Sequence, residues 1–257
     1  MRNTNKNNEL NHYYFTLKLS LATLFFTALA GWSHAAAPQK LKVAYVEFPP
    51  IEYKDKHDQP AGSFINITKT VLNHTGLEYE FVFLPISRAY LYLKDGKVDM
   101  WPGLSDIPAL QGHVIESTSS PLSITLSAWY LNDTAPINTI SELKGTNTIL
   151  INGYTYGGLR TKISHQNFGM KLMNTPNHLS GLQMLERHRG DYLLDYNEPI
   201  NAQLRTYPVE NLSSSVLNKR DAAFIVSKKA YKAQQLINQL DHSFRQLVKA
   251  GTIKPTN

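Results

Sequence analysis

Cysteine is absent from this 257-residue chain. That excludes disulfides, thiolate nucleophiles and thiolate metal sites together. Long apolar runs are scarce too. Residues 19–30 (LSLATLFFTALA) carry no charge, but a bilayer crossing takes roughly 20 apolar residues. No stripe of bases interleaved with aromatics occurs, so nucleic acid is not an expected partner. Gly-x-Ser-x-Gly, His-Glu-x-x-His, a P-loop and Gly-x-Gly-x-x-Gly are all missing, which removes the common signatures of hydrolases, zinc peptidases and nucleotide enzymes. The nine histidines are dispersed without metal-ligand spacing, so neither metal nor cofactor is expected.

What is present begins with a leader. Arg2, Lys6 and Lys18 precede the apolar run, and Ala35, Ala36 and Ala37 follow it. A basic n-region, a short apolar core and small residues at an A-x-A-like site make a secretory signal peptide. Residues 1–37 are read as that signal, cleaved after Ala35 or Ala37. The rest, about 220 residues, can bury a core without staples. A cysteine-free exported chain of this size reads as a bacterial envelope protein, placed in the periplasm. Removing the leader takes away three bases and Glu9, leaving 23 bases against 19 acids, a balance of +4.

Hydrophobic patterning gives two α/β sets in tandem. Residues 41–46 (LKVAYV) form a strand that Pro49 and Pro50 stop. Phe64, Ile67 and Val71 define a helix closing near Gly76. Residues 78–84 alternate as a strand, Ser87 caps a helix ending at Asp95-Gly96, and residues 98–101 are the next strand. A β-α-β-α-β order predicts a mostly parallel sheet. After the extended segment 122–131, a second set follows. It comprises a strand at 148–151, a glycine-rich loop (Asn152 to Gly158), a helix through Leu179, Leu182 and Leu185, and a strand at 192–194. Residues 222–226 form the last strand. Leu236, Leu240, Phe244 and Leu247 line a closing helix.

Six motifs in order resemble the family 3 extracellular solute-binding proteins, the periplasmic type that binds polar amino acids. They are residues 43–53 (VAYVEFPPIEY); residues 62–67, with Asn66 where the family has Asp; residues 93–99 (LKDGKVD); residues 140–145 (ISELKG); residues 185–191 (LERHRGD); and residues 240–253. The resemblance implies a type II periplasmic-binding fold: two α/β lobes, each a mostly parallel sheet flanked by helices, joined by a two-strand hinge. Lobe 1 would hold residues 38–130 plus 218–257, and lobe 2 residues 131–217. Segments 122–131 and 216–226 would cross between them.

One departure matters. Members that bind α-amino acids place an arginine shortly after the Gly-Lys-Val-Asp signature, whose guanidinium grips the ligand carboxylate. Here residues 103–113 contain none. Either the ligand is not an α-amino acid or another cation substitutes, and Arg88, after Ser87 at a helix start, is the candidate. A solvated surface arginine is the competing reading, and His113 is a weaker alternative. Strand ends face the crevice in α/β sheets, which adds Phe48, Trp101, Ser105, Tyr154 and Tyr156. Core packing is the rival for Phe48 and Trp101. Backbone N–H groups of the glycine-rich loop are expected to meet an oxyanion. The resemblance brings Asp195 to a ligand ammonium, with Tyr196 as the occupant of that place if the register is one residue short.

The implied function is capture of a small polar solute, an amino acid or related organic anion. The chain would be a non-catalytic monomer serving an inner-membrane ABC permease. Two alternatives stand beside it: an enzyme of the same fold, like the cyclohexadienyl dehydratases, or a sensing binder for a membrane receptor.

Overall fold

The computed structural model describes residues 40–165 and 169–254. The leader and both candidate cleavage positions lie outside them. Strand β1 (Leu41–Tyr45) is followed by a two-residue ribbon, β2 (Tyr53–Lys54) and β3 (Pro60–Ala61). Helix α1 (Ser63–Thr75) buries Phe64, Ile65, Thr68, Val71 and Leu72, and ends at Gly76 in the left-handed region, where glycine carries no Cβ penalty. Then come β4 (Tyr79–Phe83), α2 (Ile86–Asp95), β5 (Met100–Leu104) and β6 (Val114–Glu116).

The second set opens with β7 (Leu122–Leu131) and continues through β8 (Asn147–Ile151), α3 (Leu159–His165), β9 (Lys171–Thr175), α4 (His178–Glu186), β10 (Tyr192–Tyr196) and α5 (Asn197–Leu204). A sixteen-residue strand, β11 (Leu212–Ser227), returns the chain. Helix α6 (Ala233–Lys249) closes it, burying Leu236, Ile237, Leu240, Phe244 and Leu247.

The strands pair in the order β4-β1-β5-β11-β7-β10-β8-β9, with β6 also on β11. Strands β4, β1 and β5 are parallel, as are β10, β8 and β9. Strands covered on both faces lose the alternation of half-buried ones. Accordingly Val43, Ala44 and Tyr45 in β1, and every residue of β10, are buried. Between the two parallel sets lie β7 and β11, antiparallel to each other along their length, with a register shift between Val216 and Asn218. On one side of that bulge, residues 222–226 of β11 pair with β5. On the other side β11 pairs with β7, which pairs with β10. The two sets are thus one continuous hydrogen-bonded sheet rather than two separate ones, because the crossing strands carry the ladder through.

Several local expectations shift. Pro85, not Ser87, is the N-cap of α2, because proline with fixed φ supplies the extended turn that starts the helix. Ser87 therefore lies inside it. The strand expected at 98–101 runs from Met100 to Leu104. Strand β9 and helix α5 carry too weak a pattern to read: β9 has one buried residue and α5 only Pro199 and Ile200.

Candidate ligand-binding cavity

Strand ends and the loops after them build one cavity of about 590 Å³, within the range for small-molecule sites. From the first parallel set come the β1–β2 turn (Glu47, Phe48, Glu52), the start of α2 (Ile86, Ser87, Tyr90) and β5 (Trp101, Gly103). From the second come the loop after β8 (Asn152 to Gly157), the α4 start (Asn177, His178) and Tyr196 at the end of β10. This is the carboxyl-edge placement that parallel sheets give their ligands.

The two sides meet through aromatic rings. Phe48 contacts Tyr154 (centroids 5.6 Å) and Tyr196 (5.1 Å), both edge-on. Tyr156 stacks on Tyr196 at 5.9 Å, and Tyr90 meets Trp101 at 5.5 Å. Tyr156 has a φ of 51°, a left-handed conformation costly for a bulky side chain. Its hydroxyl accepts the Ile151 N–H at 2.7 Å, which together with the stack holds it there.

Glu52 is the buried acid of the first side. Only 2% of it is exposed. Its carboxyl accepts the Trp101 indole N–H (3.1 and 3.3 Å) and the Val46 N–H (3.3 Å). Burial raises its pKa well above the usual carboxylate value, against those hydrogen bonds. The indole lies over Gly103, where a Cβ would overlap the ring. Burial also pushes the neighbouring Tyr90 up to about 12.

On the second side Asn177 caps α4 by accepting the Ser180 N–H at 2.8 Å, which fixes His178 at the first helical position. His178 Nδ1 lies 2.7 Å from Asp195 Oδ2, and its Nε2 lies 3.1 Å from the Tyr154 hydroxyl. With Nδ1–H donated to Asp195, Nε2 accepts from Tyr154. The other Asp195 oxygen accepts the Tyr196 N–H at 2.8 Å. Burial raises the pKa of Asp195 despite the histidine.

Five of the eight expected residues line the cavity: Phe48, Trp101, Tyr154, Tyr156 and Tyr196. Asp195 is fully buried behind His178. Ser105 turns its hydroxyl to the Asp221 carbonyl at 3.0 Å. Arg88 is exposed on α2 and outside the lining. With the helix starting at Ile86, positions 86, 87 and 90 face the cavity and position 88 turns outward. The loop after β8 is less open to an anion than expected. The N–H groups of Asn152, Tyr154 and Gly158 donate to the carbonyls of Thr175, Ile151 and Thr155.

Two arginines, unread in the sequence, brace that loop through its carbonyls. Arg160 donates to the carbonyls of Ile151 (2.9 Å) and Tyr154 (3.3 Å). Arg220, on β11, donates to the Gly157 carbonyl at 3.2 Å and to the Ser105 carbonyl, tying the two sides together. Glu52 and His178 were also unread. Glu52 sat inside the Pro-Pro-aromatic motif without a charge partner to flag it, and a single histidine carries no spacing signal. No group of three or more His, Asp or Glu that could hold a metal occurs among the described residues.

Two parallel sets, two crossing strands and a cavity between strand ends define the type II periplasmic-binding fold. Solved structures agree. A histidine kinase sensor domain with similarity to periplasmic binding proteins superposes with a TM-score of 0.67 at 18% identity, covering 83% of this chain and 92% of that one. The GluR0 ligand-binding core in complex with L-glutamate gives 0.66 at 14% identity, covering 85% and 96%. An ancestral arginine-binding protein bound to arginine gives 0.64 at 19%, covering 84% and 96%. No curated protein sequence matches the chain. The model of the bacterial extracellular solute-binding proteins, family 3, matches residues 41–256, and the chain belongs to that family.

Proposed function

We propose that the chain is exported to the periplasm and captures a small polar solute, an amino acid or a close chemical relative, in this cavity. Two lobes, residues 38–130 with 218–257 and residues 131–217, close over the solute, and the monomer passes it to an inner-membrane ABC permease. The carrying observation is the contact of Phe48 from one parallel set with Tyr154 and Tyr196 from the other, across a cavity lined by both. The bulge between Val216 and Asn218 supplies a point where the crossing strands can bend. The secretory leader supports export, and no described helix is long and apolar enough to cross a membrane. Solved structures described as binding arginine or glutamate support the solute class.

The test is a thermal-shift screen of amino acids, amines and organic acids. A solute at 100 times its Kd adds about 2.7 kcal/mol to the folded state, about 5 to 11 °C for a chain of this length. A complete panel without a shift counts against the reading.

One observation favours a second reading. The Tyr154–His178–Asp195 relay in the cavity wall has the form of an acid–base device, as an enzyme of the same fold would need. Turnover of prephenate- or arogenate-like cyclic acids that stops in Tyr154→Phe would establish it. Tight binding without turnover excludes it.

A further inference from the structure

The charges around the cavity are one-sided. Among the described lining residues there is no lysine or arginine, whereas Glu47 and Glu52 are both present and His178 is the one basic side chain. The guanidinium groups of Arg160 and Arg220, outside that lining, donate to the carbonyls of Ile151, Tyr154, Gly157 and Ser105. In the glycine-rich loop the N–H groups of Asn152, Tyr154 and Gly158 donate internally. A ligand carboxylate therefore meets no lysine or arginine among the described lining residues. An ammonium meets a buried carboxyl, Glu52, held in place by Trp101 and Val46. Beside it stand the rings of Phe48, Tyr90, Trp101, Tyr154 and Tyr196. Aromatic faces around a desolvated site attract cations through their quadrupole, and the same rings shelter an apolar body.

We propose that the cavity selects an organic ammonium with a ring-sized apolar body and no carboxylate, its charge paired with Glu52. This deepens the solute-binding reading and rests on it. Glu52 is the specificity-determining residue, and the aromatic walls set the size of the body. The paired cation compensates a carboxyl that burial otherwise penalises, so binding and ionisation of Glu52 occur together.

The experiment is calorimetric titration of the leaderless chain with three molecules that share one phenol body and differ only in charge: tyramine, tyrosine and 4-hydroxyphenylpropionate. Choline serves as a compact cation without a ring. Tyramine is expected to bind at least tenfold more tightly than tyrosine, and 4-hydroxyphenylpropionate not to bind. Glu52→Gln is expected to weaken tyramine at least tenfold while the empty variant melts no lower than the parent, which separates lost recognition from lost folding. Tyrosine or 4-hydroxyphenylpropionate binding as tightly as tyramine overturns the proposal and leaves the solute-binding reading intact. So does an unchanged tyramine affinity in Glu52→Gln. Failure of both tyramine and choline overturns the proposal as well. The solute-binding reading falls with it only if the amino acids and organic acids of the wider panel also fail.

Discussion

Trp101 and Glu52 are both buried in the wall of the first set and hydrogen-bond each other, so removing either strips the other of that partner. In Trp101→Phe the indole donor disappears, and Glu52 retains only the Val46 N–H at 3.3 Å. A buried acceptor stripped of its partner costs about 1 to 3 kcal/mol, which lowers Tm by about 2 to 12 °C in a chain of this size. Glu52→Leu leaves the Trp101 N–H without an acceptor, and the Val46 N–H as well. The double variant leaves only the Val46 N–H, which is common to both Glu52→Leu backgrounds and cancels. Lost indole volume over Gly103 is common to both backgrounds and cancels in the cycle. Urea unfolding followed by far-ultraviolet circular dichroism at pH 7 should therefore give a coupling energy of about 1 to 3 kcal/mol, with Trp101→Phe costing less in the Glu52→Leu background than in the parent. Additivity within about 0.5 kcal/mol would refute the claim that this pair is satisfied as a unit.

Three further predictions concern the same wall and its neighbour. Because burial holds the Glu52 pKa well above its ordinary value, the folded state keeps a proton that the unfolded chain releases. That contribution is full below the unfolded pKa of about 4.5 and is lost as pH rises through the folded one. Tm measured from pH 4 upward should decline in the parent and decline less in Glu52→Gln; parallel curves would remove Glu52 as a source. Gly103→Ala drives a Cβ into the Trp101 ring, an overpacking worth about 1 to 3 kcal/mol, so calorimetric melting should fall by about 2 to 12 °C; an unshifted melt means the indole is free to move. Asp195→Ala deprives both His178 and the Tyr196 N–H of their acceptor. Breaking such a buried pair costs about 3 to 5 kcal/mol, and an unfolding free energy within about 1 kcal/mol of the parent would show that the pair is not formed in solution.

Much of the architecture was legible because long-period patterns carry it. The apolar stripe of α6 through Leu236, Leu240, Phe244 and Leu247 is buried as the spacing requires, and the extended run 122–131 is β7 to the residue. Elements that escaped reading are those whose stability comes from neighbours. Strand β9 is an edge with one buried residue, and α5 contains Pro199 near its start. At the site, strand-end logic placed the aromatic residues in the cavity lining, where they also pack against the core. It misplaced Arg88, because the cap of α2 is Pro85 rather than Ser87 and helical geometry rotates each position by about 100°. Glu52, His178 and Arg220 escaped for a different reason. Each is defined by a partner far along the chain: Trp101 at 49 residues, Asp195 at 17, Ser105 at 115. Such pairings are not expressed in any local spacing.

Two lobes that shut over one solute must change the distance between points on either side of the cavity. The cysteine-free chain allows a pair of cysteines to be placed at the exposed positions Lys56 and Lys162 and labelled with a donor and an acceptor fluorophore. Titration with a solute that calorimetry shows to bind should change the transfer efficiency in a saturable, one-site manner, with the same Kd as the calorimetric isotherm. A solute that binds at full stoichiometry while the transfer efficiency stays constant would contradict closure between the lobes.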